Sequence, residues 1–213
     1  MKNRIFVKIF IIFLLTIMIY GCAPGRRHIF IDGGAYKGDS IETFEKSNVY
    51  SKYQWEIFAI EANPELIHFI PKKPNVTVIN KAMWIDDKGV DFYFGIHDLG
   101  GNVVNALGSD KKRAPVHVES VDFGKWLERN FKKEDIIYVQ MDIEASEYPI
   151  LEQMLEDGSI KYIDKLYVEF HSWMKEGMEE IYKSKDEKII QAIEKLGIPV
   201  CLEKGRGFNY NQY

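Results

Sequence analysis

Cysteine is scarce in this chain of 213 residues: it occurs twice, at Cys22 and Cys201. Cys22 falls near the amino end, which leaves one cysteine in the body. One cysteine makes no internal disulfide, so oxidative stapling is excluded there. A surplus of positive charge is also lacking. The formal net charge is −4, which gives no electrostatic footprint for nucleic acid, and no nucleic-acid partner is expected. Internal repeats, low-complexity tracts and linkers rich in Pro, Gly or Ser are missing too. That argues for a single domain, and the length is enough for one with its own core.

No apolar run reaches the roughly 20 residues that span a bilayer as a helix. The run from Ile9 to Tyr20, apolar except for Thr16, falls short of it. Lys2, Arg4 and Lys8 precede this run, and Gly21-Cys22-Ala23-Pro24-Gly25 follows. A basic start, a short apolar stretch and small residues beyond it mark a targeting signal. Ile19-Tyr20-Gly21-Cys22 resembles a bacterial lipobox, with Tyr20 where a small residue is usual. Residues 1–25 therefore read as a membrane-targeting leader, either a lipoprotein-like signal peptide or an anchor. Residues 26–213 read as the domain. The basic residues before the run favour a cytosolic amino end and an exported body, while Arg26 and Arg27 pull the other way.

Beyond the leader, apolar strand-like runs alternate with helical stretches, which is the pattern of an α/β layered fold with a mainly parallel sheet. The expected strands are His28–Ile31, Trp55–Ile60, Val76–Lys81, Ile136–Met141, Lys165–Phe170 and Ile198–Leu202. Val90–Gly95 reads as a further short strand, and Phe208–Tyr213 as a candidate last one. Expected helices cover Ser40–Lys46, Val121–Phe131, Glu147–Glu156 and Met178–Leu196. The sum is a Rossmann-like sheet of seven strands with helices on both faces. Residues Gly100–Ala114 read as a long loop, a candidate lid over the site.

Three acid-tipped strand ends carry the chemistry. The first is Ile29-Phe30-Ile31-Asp32-Gly33-Gly34-Ala35-Tyr36-Lys37-Gly38, a strand, a glycine-rich bend and a helix start. It is not Gly-x-Gly-x-x-Gly. It is not a P-loop either, because Asp39-Ser40 stands where that loop needs Lys-Ser or Lys-Thr. Asp-x-Gly-Ala-x-x-Gly instead suits a ligand with a sulfonium, an amine and a carboxylate, namely S-adenosylmethionine. The second is Glu61-Ala62-Asn63-Pro64, after the second strand. A carboxylate at that strand end faces the ligand crevice and accepts ribose hydroxyls; a helix-capping role for the segment is the plainer alternative. The third is Asp142-Ile143-Glu144-Ala145-Ser146-Glu147, three acids in six residues.

Together these segments resemble the FkbM family of S-adenosylmethionine-dependent methyltransferases. Asp32, Gly34, Ala35 and Gly38 match its first motif, and Glu61-Ala62-Asn63-Pro64 its second. Ser120-Val121-Asp122, Gln140–Glu147 and Glu169-Phe170-His171 match three more, in order. Gln140 replaces a usual lysine, Ala145-Ser146 replaces Gly-Ala, and Ala62 replaces proline.

The resemblance implies S-adenosylmethionine as cofactor, held by Asp32, Gly34, Ala35, Tyr36, Gly38, Glu61, Ala62, Asn63, Ala82 and Asp142. It implies catalytic roles for Asp142, Glu144 and His171, with His171 as a general base because an unperturbed imidazole titrates near neutrality. The implied reaction is O-methylation of a sugar, glycan or small-metabolite hydroxyl. N-methylation and a non-catalytic ligand-binding module remain alternatives. The missing Gly-x-Gly-x-x-Gly disfavours an NAD-dependent dehydrogenase. Asp142, Glu144, Glu169 and His171 carry donors for a divalent ion, but donor types without geometry are weak ground, and no metal is expected. Trp126, Trp173 and Tyr182 read as packing residues more readily than as sugar-stacking ones. Because the methyl donor is made in the cytosol, its supply favours the cytosolic face of a membrane for the domain.

Overall fold

The computed structural model describes residues 25–96, 101–105, 109–174, 177–203 and 207–211. The expected leader, up to residue 24, lies outside the described residues, as do parts of the candidate lid at 97–100 and 106–108. Among the described residues no helix is long and apolar enough to cross a membrane.

In chain order the strands and helices are β1 (His28–Gly33), α1 (Asp39–Glu45), β2 (Trp55–Ile60), β3 (Val76–Ile79), β4 (Ala82–Trp84), β5 (Val90–Phe94), β6 (Gly101–Asn102), β7 (Val116–Val118), β8 (Ser120–Asp122), α2 (Phe123–Asn130), β9 (Ile136–Met141), α3 (Glu147–Asp157), β10 (Lys165–Val168), α4 (Glu179–Glu194) and β11 (Val200–Leu202). Six strands make the central sheet in the order β11-β10-β9-β1-β2-β3, and every neighbouring pair is parallel. The chain steps outward from β1 through β2 to β3, then returns to the other side of β1 with β9. This reversal, between β1 and β9, is where an open α/β sheet leaves a crevice at its carboxyl edge.

The central strands are covered on both faces, so their apolar runs are continuous rather than alternating. Ile29 and Ile31 point to one layer with Leu127, Leu151 and Ile193, which come from α2, α3 and α4. Phe30 points to the other layer with Ile41 and Phe44 of α1 and with Tyr210. The rings of Phe30 and Phe44 stack at 3.9 Å. Helices thus lie on both faces, as expected.

The sheet has six strands and not the expected seven. Val90–Phe94 leaves it and pairs antiparallel with β6 and β7 in a separate small sheet. Its pattern explains this: Phe92 and Phe94 are buried while Asp91 is exposed, a one-sided strand that suits a flap rather than a doubly covered centre. A third, two-stranded sheet joins β4 to β8 in parallel. This pairing takes Ser120–Asp122, so α2 begins later than its apolar pattern indicated. Asp122 caps it by accepting a hydrogen bond from the Lys125 backbone N–H at 3.1 Å. Through residue 211, Phe208–Tyr213 forms no strand; Phe208 and Tyr210 are buried against Tyr167 instead.

Gly34 sets the closeness of the central strands at the crevice. Its φ is +79°, and a Cβ built there would lie 1.9 Å from the backbone oxygen of Asp142. Gly158 has a similar φ of +81° but open space around it. Gly158→Ala is therefore expected to cost about 1 kcal/mol from backbone conformation alone. Gly34→Ala adds a backbone clash and is expected to cost roughly 3 kcal/mol or more. Urea unfolding of both variants measures the difference; equal losses would refute the close approach.

Candidate active site

A cavity of about 350 Å³ opens at the carboxyl ends of β1, β2 and β9, within the usual range for small-molecule sites. Gly34, Ala35 and Tyr36 line it after β1, Glu61 and Ala62 after β2, and Asp142 and Glu144 after β9. Ala82 and Met83 of β4 form another wall, and Phe92 and Asn102 reach in from the antiparallel flap.

The first two strand ends are stitched together by backbone bonds. Gly34 and Ala35 donate their N–H groups to the Ile60 carbonyl at 3.0 and 3.2 Å. Glu61 accepts the Tyr36 backbone N–H at 2.8 Å through Oε2 and the Asn63 N–H at 2.7 Å through Oε1. Each oxygen keeps a further lone pair for a ligand hydroxyl. Burial pushes the Glu61 carboxyl up to about 6, against these hydrogen bonds, which pull it down.

Asp32 sits behind the wall rather than on it. It is fully buried, its Oδ2 accepts the Ser40 hydroxyl, and its Oδ1 has no hydrogen-bond partner. Burial drives its pKa up to about 7, with the Ser40 bond opposing and the nearby Asp142 and Glu61 charges adding to the rise. Ser40 itself lines the cavity. Gly38 also stands back. It caps α1 at φ +90°, and its Cα packs on Pro71 so closely that a Cβ would meet Pro71 Cδ at 2.4 Å. Asn63 likewise serves the chain: its Oδ1 accepts the Glu65 N–H at 2.9 Å.

At the third strand end, carboxylates surround one imidazole. His171 Nε2 stands 3.5 Å from Asp142, 3.6 Å from Glu144 and 3.7 Å from Glu169. On the other side of the ring, Nδ1 stands 3.3 Å from Glu147 Oε1, which also accepts the His171 backbone N–H at 2.8 Å. His171 is 2% exposed and Glu147 is fully buried. Burial disfavours the imidazolium, but the Glu147 bond and the charges of Glu147, Glu144 and Asp142 outweigh it and raise the pKa above its ordinary value. The expected base role of His171 started from an ordinary imidazole pKa, and these neighbours hold it above that value. Asp142 is different: burial lifts it to about 6, with the His171 charge opposing, and its side chain is only partly exposed, on the cavity wall. Glu144 is also raised, chiefly by burial. Glu144 and Ala145 both have positive φ, 53° and 74°. Two adjacent left-handed non-glycine residues are strained, and such strain gathers at functional sites.

The structure thus gathers eight expected residues on one cavity: Gly34, Ala35, Tyr36, Glu61, Ala62, Ala82, Asp142 and Glu144. Asp32, Gly38, Asn63 and His171 support it from behind. Sequence reasoning assigned no role to Glu147, because a glutamate in the first turn of a helix usually faces water. It also missed Phe92, which came with the misassigned strand. Trp173 was expected to pack inside. It is 58% exposed, with its ring 6.1 Å from His171. Trp126 and Tyr182 do pack against the core, as expected.

The family model of the methyltransferase FkbM domain matches residues 32–199. The chain belongs to the FkbM methyltransferase family. No curated protein and no solved structure matches it. The FkbM match starts at the acid of the first strand end and stops just before β11, so it contains the carboxyl ends of the other five central strands. In this FkbM domain the family's lysine position holds Gln140, which lines the cavity and accepts a hydrogen bond from the Tyr210 hydroxyl.

The charge pattern fixes a pH dependence. Unfolded carboxyls lose their protons near pH 4, whereas Asp32 keeps its proton to about 7 and Glu61 and Asp142 to about 6. The stability they contribute is complete below the unfolded values and is lost as pH rises through 6 to 7. His171, raised above its unfolded value, contributes below that value and loses its share at still higher pH. The ligand-free protein is therefore expected to melt at a higher temperature at about pH 5 than at about pH 8. Asp32→Asn should flatten the slope. A melting temperature that climbs across this range contradicts the assignment.

Proposed function

We propose that this FkbM domain is an S-adenosylmethionine-dependent methyltransferase acting on a hydroxyl of a sugar, glycan or small metabolite. One observation carries the reading: Glu61 and Asp142 line a single cavity at the sheet's reversal point, with Asp32 directly behind it. Glu61 would hold the ribose, a reading supported by its place on the cavity wall. Ala82 and Met83 offer a small apolar wall for the adenine, and the Gly34–Tyr36 backbone borders the methionine end. Asp142 and Glu144 then sit beside the sulfonium, where anionic groups favour a positive charge.

Methyl transfer is an in-line displacement. The acceptor hydroxyl gives its proton to the carboxylates around Asp142. The oxygen–methyl bond forms as the sulfur–methyl bond breaks, and the electron pair stays on sulfur to give S-adenosylhomocysteine. Holding the oxygen in line supplies much of the rate, and the base supplies about 10²–10⁴-fold. Trp173, exposed beside the acidic cluster, supports a sugar as acceptor, because pyranose faces pack on indole rings. The amino-terminal leader, placed at a membrane, would bring a membrane-linked glycan within reach, and a cytosolic orientation would supply the donor.

Calorimetry with S-adenosylhomocysteine and with NAD tests the cofactor: the first should bind and the second should not. Affinity for S-adenosylmethionine is expected to rise between about pH 5.5 and 7.5, because a cationic ligand favours the ionised forms of Asp32, Glu61 and Asp142. A flat profile would remove these carboxyls from the site. Labelled methyl transfer into cell extract tests turnover and gives the acceptor's size. Asp142→Asn should slow transfer by about 10²-fold or more while S-adenosylhomocysteine still binds. Trp173→Ala should raise KM for a glycan acceptor about tenfold with kcat little changed; an unchanged KM would exclude stacking.

A further inference from the structure

His171 is built like a metal ligand. Its imidazole is 2% exposed, and Nδ1 faces the buried Glu147 Oε1 at 3.3 Å, the shortest of its contacts. Nε2 points at Asp142, Glu144 and Glu169 at 3.5, 3.6 and 3.7 Å. These spacings are too long for a good hydrogen bond, whose N···O distance is about 2.7–3.2 Å. Three carboxylate oxygens therefore converge on one ring nitrogen without any of them closing on it. The ligand atoms of Asp142, Glu144 and His171 all lie within 4.8 Å of one another. Around an ion with bonds of roughly 2.0–2.2 Å, neighbouring ligand atoms stand about 3–3.5 Å apart; the spacings of 3.5 and 3.6 Å to Nε2 are close to that, and the two carboxylates draw together as the ion binds.

A second feature is independent of these acids. Metal-bound histidines hand their other ring N–H to a carboxylate, which fixes the tautomer and the ring plane. Glu147 holds that position, anchored by the His171 backbone N–H. Its Oε2 is buried without a hydrogen-bond partner.

We propose that Asp142, Glu144 and His171 bind one divalent transition-metal ion, with Glu147 as the positioning residue for the imidazole. A set of one nitrogen and two carboxylates, without thiolate, suits Mn²⁺, Fe²⁺ or Zn²⁺. Asp142 and Glu144 line the cavity, so the free coordination positions face the acceptor. An ion there binds the acceptor oxygen and lowers the pKa of its hydroxyl. The released proton leaves to solvent through the open side of the cavity, while Glu169, whose pKa burial and Glu203 push up to about 8, stays outside the ligand set. The methyl then moves from sulfur to the bound oxygen, and the electron pair remains on sulfur. This role rests on the methyl-transfer reading; the binding of the ion does not.

The test is titration of the purified full-length chain with Mn²⁺, followed by electron paramagnetic resonance of the free ion. Saturation at one ion per chain is expected. Glu144→Gln should weaken binding at least about tenfold, as should Glu147→Gln. Glu152→Gln, an exposed acid of α3 paired with Lys185, should leave it unchanged. Circular dichroism melts check that each variant is folded, and the part-exposed Glu144 carries the test if the buried Glu147 variant does not fold. Absence of uptake, or equal affinity in Glu144→Gln and the native chain, overturns the proposal. Calorimetry with S-adenosylhomocysteine on the same samples separates the two readings. Cofactor binding without Mn²⁺ uptake removes the ion and keeps the methyltransferase, whereas Mn²⁺ uptake without cofactor binding keeps the ion and removes the methyltransferase.

Discussion

β1 and β9 are far apart in the chain yet hydrogen-bonded side by side, with Asp32 opposite Gln140 and Gly33 opposite Met141. At their carboxyl ends the backbone of Gly34 lies against the Asp142 carbonyl with no room for a side chain. The Asp142 N–H closes the junction on Gly33 O at 3.0 Å. This one contact aims the turn after β1 and the acidic turn after β9 into the same space. Glu61 joins through its bond to Tyr36 N–H, so three strand ends act as a single wall. Without Gly34 the two turns separate, and the cavity loses its shape before any of its acidic side chains is touched.

The electrostatic arrangement is costly for the empty protein. Asp32, Glu61 and Asp142 are near one another and largely shielded from water, and burial raises all three. Paired charges or protons must accompany them. His171 answers part of the need at one end of the cavity. At the other end the matching charge has to come from the ligand. Natural sites trade stability for such poised groups, and the strained Glu144–Ala145 turn follows the same rule.

Much of this was legible beforehand. Continuous runs such as Ile29–Ile31 and Ile136–Met141 announce strands covered on both faces, and the acids that follow them announce the edge where a ligand binds. The parts that were not legible share a cause, which is that burial of one particular residue depends on distant chain. Val90–Phe94 has strand composition, but only the partners β6 and β7 reveal that it belongs to a flap. Glu147 looks like any acid at a helix start until His171 arrives from the end of β10. Trp173 looks like a core residue until the turn after His171 leaves it in solvent. The His171 pKa was read from an isolated imidazole, whereas burial and the charges of Glu147, Glu144 and Asp142 set its direction.

The Tyr210 hydroxyl reaches Gln140 beneath the cavity, and its ring lies between Phe30, Phe44 and Tyr167. The tail after β11 thus serves as a plug for the underside of the pocket. Trimming the chain at this end, or fusing a bulky tag close to it, would loosen the floor of the cavity, even though every acid-tipped strand stays intact.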